Sequence, residues 1–209
     1  MSMSATRWRA LGSGRWLWPT TIAAGLVIGA LSVLPYAYVT GPLHVLGNSA
    51  AVWLLIAFFV GILAGSPRRG AVGGAVTLLA VVTGFFVAMQ LLYPADSFGR
   101  TAVFWLVAAV IGGPVFGWFG ALWHRGDVPR GVTSAAMGAA FVAEALLFPA
   151  GPSLRHVLGE GLFGVLLTLG LARGRRPLIA ALCAFPILML AGAVGWFVTR
   201  DLMHLYFYG

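Results

Sequence analysis

TAVFWLVAAVIGGPVFGWFGALW, residues 101–123, contains no charged side chain. A helix rises about 1.5 Å per residue, so about 20 apolar residues cross the roughly 30 Å hydrocarbon core of a bilayer. This run has the length and the composition for that. Six further runs of the same character surround it, at 19–39, 47–65, 70–93, 131–149, 156–172 and 178–199, joined by short connections. The expected fold is therefore all-α: a polytopic membrane protein of about seven transmembrane helices.

The whole composition agrees with that local reading. Of 209 residues, 60% are hydrophobic and 9% charged, which excludes a water-soluble globule. All thirteen positive charges are arginine, with no lysine, and Ala, Gly, Val and Leu dominate, a bias that suggests a GC-rich bacterial genome. The net charge of +8 does not point to nucleic acid, because the arginines sit at the ends of apolar runs, where they meet lipid headgroups. The expected partner is the lipid bilayer, with no nucleic acid.

Arginine placement sets the orientation. Arg7, Arg9 and Arg15 precede the first run, Arg68 and Arg69 join the second and third, Arg125 and Arg130 the fourth and fifth, and Arg173, Arg175 and Arg176 the sixth and seventh. The other side holds only Arg100, Arg155 and Arg200. The first group belongs in the cytoplasm, which makes residues 1–18 a basic cytoplasmic segment, 19–200 the transmembrane domain and 201–209 a short outer tail. The expected location is the bacterial inner membrane, multi-pass. The first apolar run is too long for a cleavable signal peptide and is read as the first span.

Several features are read as packing. Trp8, Trp16, Trp18 and Trp123 fall near the inner boundary, where indole rings anchor helices. GxxxG spacings at Gly25/Gly29, Gly61/Gly65, Gly70/Gly74 and Gly113/Gly117 allow close helix approach, within one chain or in a homo-oligomer. Pro114 and Pro186 should kink their helices. Cys183 is a lone core thiol with no disulfide partner. An internal echo pairs GPLHVLGNSA, before the second run, with GPSLRHVLGEG, before the sixth. Its topological position suggests parallel three-helix repeats joined by helix 4.

The chain has five acidic residues, and Glu144, in AAFVAEALLFP, lies inside an apolar run without an arginine. Ionisable groups in hydrocarbon are costly and usually functional. Burial favours the neutral acid, which makes Glu144 a candidate proton donor; structural glue between helices is the bland alternative. Most other polar residues fall at the outer end. Glu160 and His156 share a helix face at a spacing of four, as do Asn48 and His44; Gln90, Tyr93, Asp96, Asp201 and His204 join them. A shared outward-opening pocket is expected, flanked by Trp53, Phe85, Phe86, Trp105, Phe141, Phe148 and Trp196. No HExxH, HxxxH, CxxC, Walker A or GxSxG motif is present, nor an aspartate pair spaced for magnesium and a diphosphate. No metal and no cofactor is expected.

In size, helix count and isolated intramembrane acids without a metal–diphosphate motif, the chain resembles the small integral-membrane terpene cyclases acting on prenylated aromatic or indole substrates. The resemblance implies a lipophilic prenylated substrate, Glu144 as the donor that starts carbocation cyclisation, and Glu160, oriented by His156, or Asp201 as the final proton acceptor. The FWLVAAVIGGPVFG run also looks like that of small uncharacterised bacterial membrane proteins, which implies no activity. The alternative is a small-solute transporter, since a 3+1+3 repeat is similar to that of the SWEET sugar transporters. That family carries prolines in matching helices of both repeats, and here only Pro35 and Pro149 correspond loosely.

Overall fold

The computed structural model of the chain describes residues 17–39, 47, 49–94, 99–147, 154 and 157–208. Among these there are seven α-helices and no strand: α1 Leu17–Tyr38, α2 Ala50–Leu63, α3 Pro67–Leu92, α4 Gly99–Leu122, α5 Asp127–Leu147, α6 Leu162–Leu171 and α7 Arg175–Tyr208. A five-residue π-turn, Val157–Gly161, leads into α6. Three helical stretches are long and apolar enough to cross a membrane: Pro67–Leu92, Gly99–Leu122 and Arg175–Gly195.

Local chemistry sets the helix starts. Ser49 caps α2, its hydroxyl accepting from Val52 N, so the helix begins at Ala50 rather than at residue 47. Ser66 caps α3 by accepting from Arg69 N, and Pro67 follows in the first turn, where a missing N–H is harmless. The turns on the arginine-bearing end are tight, and Gly65 and Gly174 take the left-handed φ values of 70° and 108° that reverse the chain there.

One further boundary differs from the sequence reading. Residues 201–208 extend α7 rather than forming a separate tail, because after Gly195 no glycine or proline interrupts the helix before Gly209. Arg200 and Asp201 mark a change in polarity, and polarity alone does not end a helix. Pro35, Pro114 and Pro186 all lie inside helices that continue past them.

The helices pack as two groups. In one, α3 contacts α1, α2 and α4, and α2 contacts α4; in the other, α5 contacts α6, α7 and the π-turn. α5 also touches α2 and α4, so the seam between the groups runs along these three helices. Glycines close most helix pairs. A Cβ at Gly29 would strike Val81 O of α3, one at Gly117 would strike Gly70 O, and one at Gly131 would strike Pro177 O. The GxxxG glycines thus serve contacts within the chain, except Gly65, which lies in the turn after α2 with nothing within 4 Å of its Cβ position. The pairings α1–α3 and α5–α7 are what a parallel repeat would share, whereas α2 packs on α3 and α4 while α6 packs on α5.

Many large apolar side chains remain on the outside, among them Leu31, Leu91, Ile111, Leu182, Ile187 and Leu190, all more than half exposed. Such a surface suits lipid as its solvent.

Candidate functional site

Glu144 lies in the last turn of α5, and Ala50 opens α2. Both are at the end of their helices away from the arginine-bearing turns. The Glu144 carboxyl crosses the seam and caps α2. Its Oε1 accepts from Ala50 N at 2.9 Å, while Oε2 accepts from Ala51 N at 2.8 Å and from Ser49 Oγ at 3.0 Å. The first amides of a helix have no partner within it, and the N-terminal end of the helix dipole attracts negative charge. Ser49 Oγ takes Val52 N at 3.2 Å and Ser49 O takes Trp53 N at 3.4 Å, so every amide of the first turn is satisfied. Glu144 is thus a helix cap supplied from another helix, a partnership that the lack of a nearby arginine conceals.

Glu160 joins the site from the π-turn. It is 1% exposed, and its Oε2 is buried without a hydrogen-bond partner. The Ser49 hydroxyl and the Glu144 carboxyl both act on it electrostatically. π-Turns are rare and concentrate at functional positions, because one extra residue re-aims the side chains around it. Ser49 and Glu160, which come shortly after the two HVLG segments of the sequence at 44–47 and 156–159, both lie near Glu144.

Glu144 also faces open space. With Ala50, Ala51, Leu54, Trp105, Ala108, Phe116, Ala140, Ala143 and Gly192 it lines a cleft of about 270 Å³ between α2, α4, α5 and α7. A second cleft, of about 370 Å³, shares Ala50, Leu54, Trp105, Ala108 and Phe116 with the first and extends to Trp53 and Val82. The space exists because alanine and glycine occupy positions where larger side chains would close the seam. Among the described residues Glu144 is the single ionisable group on either wall. Trp53 stands over the second cleft with its ring 5.9 Å from Trp105 and 5.1 Å from Phe85, and its buried Nε1 has no acceptor.

The residues expected to share one pocket separate. Glu144, Trp53 and Trp105 line the joined clefts, and Glu160 lies behind Glu144, off both walls. Phe85 backs Trp53 in the core. Phe86 and Gln90 line a different groove of about 260 Å³ between α3 and α4. Phe141 turns into a core cluster with Ala51, Phe58 and Met137, its ring 5.0 Å from Phe163. Asp201 is exposed on α7. Asn48, His156 and Phe148 lie outside the described residues, as do His44, Asp96 and the side chains of Trp196 and His204. Among the described residues no group of three or more metal-ligating side chains occurs. The sequence reading missed Ser49 and Phe116. Ser49 carried a signal, since a serine directly before an apolar run marks a helix start.

Residues 15–202 match the model of a family of unknown function (DUF6518). No curated protein and no solved structure matches the chain.

Proposed function

The chain belongs to this family of unknown function, and we propose that it is a seven-span protein of the bacterial inner membrane, N-terminus inside, that cyclises a lipophilic prenylated molecule by protonating it. The observation that supports this reading is one carboxyl, Glu144, on the wall of an otherwise apolar cleft bordered by Trp105 and Phe116. The Glu144 O–H adds its proton to an alkene carbon of the substrate, and the alkene π pair forms the new C–H bond. The adjacent carbon becomes cationic and is attacked by a second π bond, closing a ring. Loss of a proton to the carboxylate then restores the acid, so substrate and product are isomers. Aromatic faces at Trp53, Trp105 and Phe116 stabilise the cation, and the apolar lining disfavours water that would capture it.

Membranes containing the protein, incubated with a farnesylated indole or prenylated arene, should yield a cyclised product of unchanged mass. Glu144→Gln should reduce turnover by a factor of 10² or more, roughly the contribution of a positioned general acid. Turnover undiminished in Glu144→Gln removes Glu144 from the chemistry, and a wild type inert towards every prenylated arene removes the cyclase reading.

A second reading, a small-solute transporter, is favoured by the site's place on the seam between the two helix groups. Solute uptake into proteoliposomes that depends on Glu144, without isomerisation of any prenylated compound, would select it.

A further inference from the structure

Glu144 lines one of the two joined clefts, and the remaining walls decide how a ligand reaches it. α2 and α3 form the back of the larger cleft through Ala50, Leu54, Leu78 and Val82, α4 supplies one side and Gly195 of α7 the other. The front is open because α7 packs on α5 and touches α4 marginally at most. Two residues mark the lips of that gap. Ile111 of α4 lines the cleft yet is 65% exposed, and Gly195 is exposed, with nothing within 4 Å of its Cβ position. Where this bundle packs tightly it closes on its glycines, as at Gly29, Gly117 and Gly131. At Gly195 it does not.

The gap opens onto a surface that suits lipid. Val107 and Val110 of α4 and Leu190 and Val194 of α7, beside the lips in sequence, are each more than half exposed. Neither helix carries a charge over 101–123 or 177–199, so nothing at the lips replaces the hydration of an ionic ligand arriving from water. Depth agrees with this. At about 1.5 Å per residue, Ile111 stands roughly 16 Å and Trp105 roughly 25 Å along α4 from Leu122 at the arginine-bearing end, so the opening lies within a hydrocarbon layer roughly 30 Å thick. We propose that the gap between α4 and α7 is a lateral mouth through which a single-chain isoprenoid dissolved in the bilayer enters the clefts. The larger cleft, of about 370 Å³, is near the lower end of the roughly 300–1,000 Å³ of small-ligand sites, which fits one slender chain. That chain lies along Ala108, Gly112 and Phe116 with bilayer on its open side, and reaches Glu144 through the wall that both clefts share. Isoprenoid as the ligand class rests on the cyclase reading; the mouth itself rests on how α4 and α7 pack.

Photolabelling tests the mouth without turnover. The probe is a farnesyl ether carrying a diazirine, dissolved in phosphatidylcholine nanodiscs that hold the full chain, with the unlabelled farnesyl ether as competitor. Wild type should show saturable labelling within 105–116, over an unsaturable background on outward residues such as Leu182 and Ile187. Gly195→Trp places an indole in the open space at the lip, where it displaces about two methylenes of the chain and should lower the saturable labelling roughly tenfold. Gly170→Trp, at a glycine that also has nothing within 4 Å but lines neither cleft, should leave it unchanged. Where Gly195→Trp loses helicity by circular dichroism, Ile111→Trp on the facing lip replaces it. Wild-type labelling that does not saturate, or saturable labelling as strong in the lip variants as in wild type, overturns the mouth. Saturable labelling that falls in the lip variants, in a protein that cyclises no prenylated arene, overturns the reaction and leaves the mouth standing.

Discussion

Removing the Glu144 carboxyl tests whether α5 caps α2, and its effect can be sized from the geometry. In Glu144→Ala the amides of Ala50 and Ala51 lose acceptors at 2.9 and 2.8 Å. Ala51 is 1% exposed and Ser49 fully buried, so water does not readily replace the carboxyl. Each orphaned buried donor costs about 1–3 kcal/mol, which for two gives roughly 2–6 kcal/mol. The cavity left by the shortened side chain adds to this. Glu144→Leu keeps most of the volume but none of the acceptors, and so separates the two contributions. Glu144→Gln retains one carbonyl oxygen but turns its NH2 towards a backbone N–H, and should fall between wild type and Glu144→Leu. Reversible unfolding by SDS in mixed micelles, followed by circular dichroism, measures all three. The expected order of stability is wild type, Gln, Leu, Ala. If Glu144→Leu lies within about 0.5 kcal/mol of wild type, a change typical of an uncoupled surface position, the carboxyl does not hold the start of α2.

Two further outcomes follow from packing and topology. Gly117→Ala drives a Cβ into Gly70 O at the junction of α2, α3 and α4 and should cost about 1–3 kcal/mol by overpacking; Gly170→Ala, where nothing lies within 4 Å, should be neutral or stabilising by up to about 1 kcal/mol through helix propensity. The same SDS titration reads both, and equal effects at the two sites would refute the close approach at Gly117. In a Cys183→Ala background, Pro94→Cys should be labelled by an impermeant maleimide on intact cells and Ser66→Cys only after lysis, and the reverse pattern would invert the proposed orientation.

Helices were legible in the sequence because apolar run length is a strong, local property. Residues 67–92 and 99–122 emerge within two residues or so of their hydropathic edges, apart from the capped start of α3. The end of α7 was not legible, because hydropathy reports where lipid stops and helix propensity reports where the helix stops, and DLMHLYFY at 201–208 separates the two. Aromatic positions were the least legible part of the site. Trp53 and Trp105 reach the clefts while Phe85 and Phe141 pack inward. In a chain whose helices are apolar all round, the sequence carries no polar face to say which way a ring turns.

Glu144 sharpens this distinction. An acid in an apolar run with no arginine nearby looks unpaired, yet its partner is a helix terminus, and a helix terminus is not a residue type that composition can reveal. What the sequence does carry is Ser49: a serine one position ahead of AAVWLL marks where α2 begins, and a capped helix start buried among other helices needs acceptors for its remaining amides. The sequence has five acidic side chains, and Glu144 is the one that supplies both oxygens to the start of α2. Glu144 also lines the cleft, so the residue that joins the two halves of the bundle is also one that a ligand would meet. A ligand that withdraws the Glu144 carboxyl from Ala50 and Ala51 therefore loosens the seam in the same act, which couples occupancy of the cleft to the packing of α5 against α2.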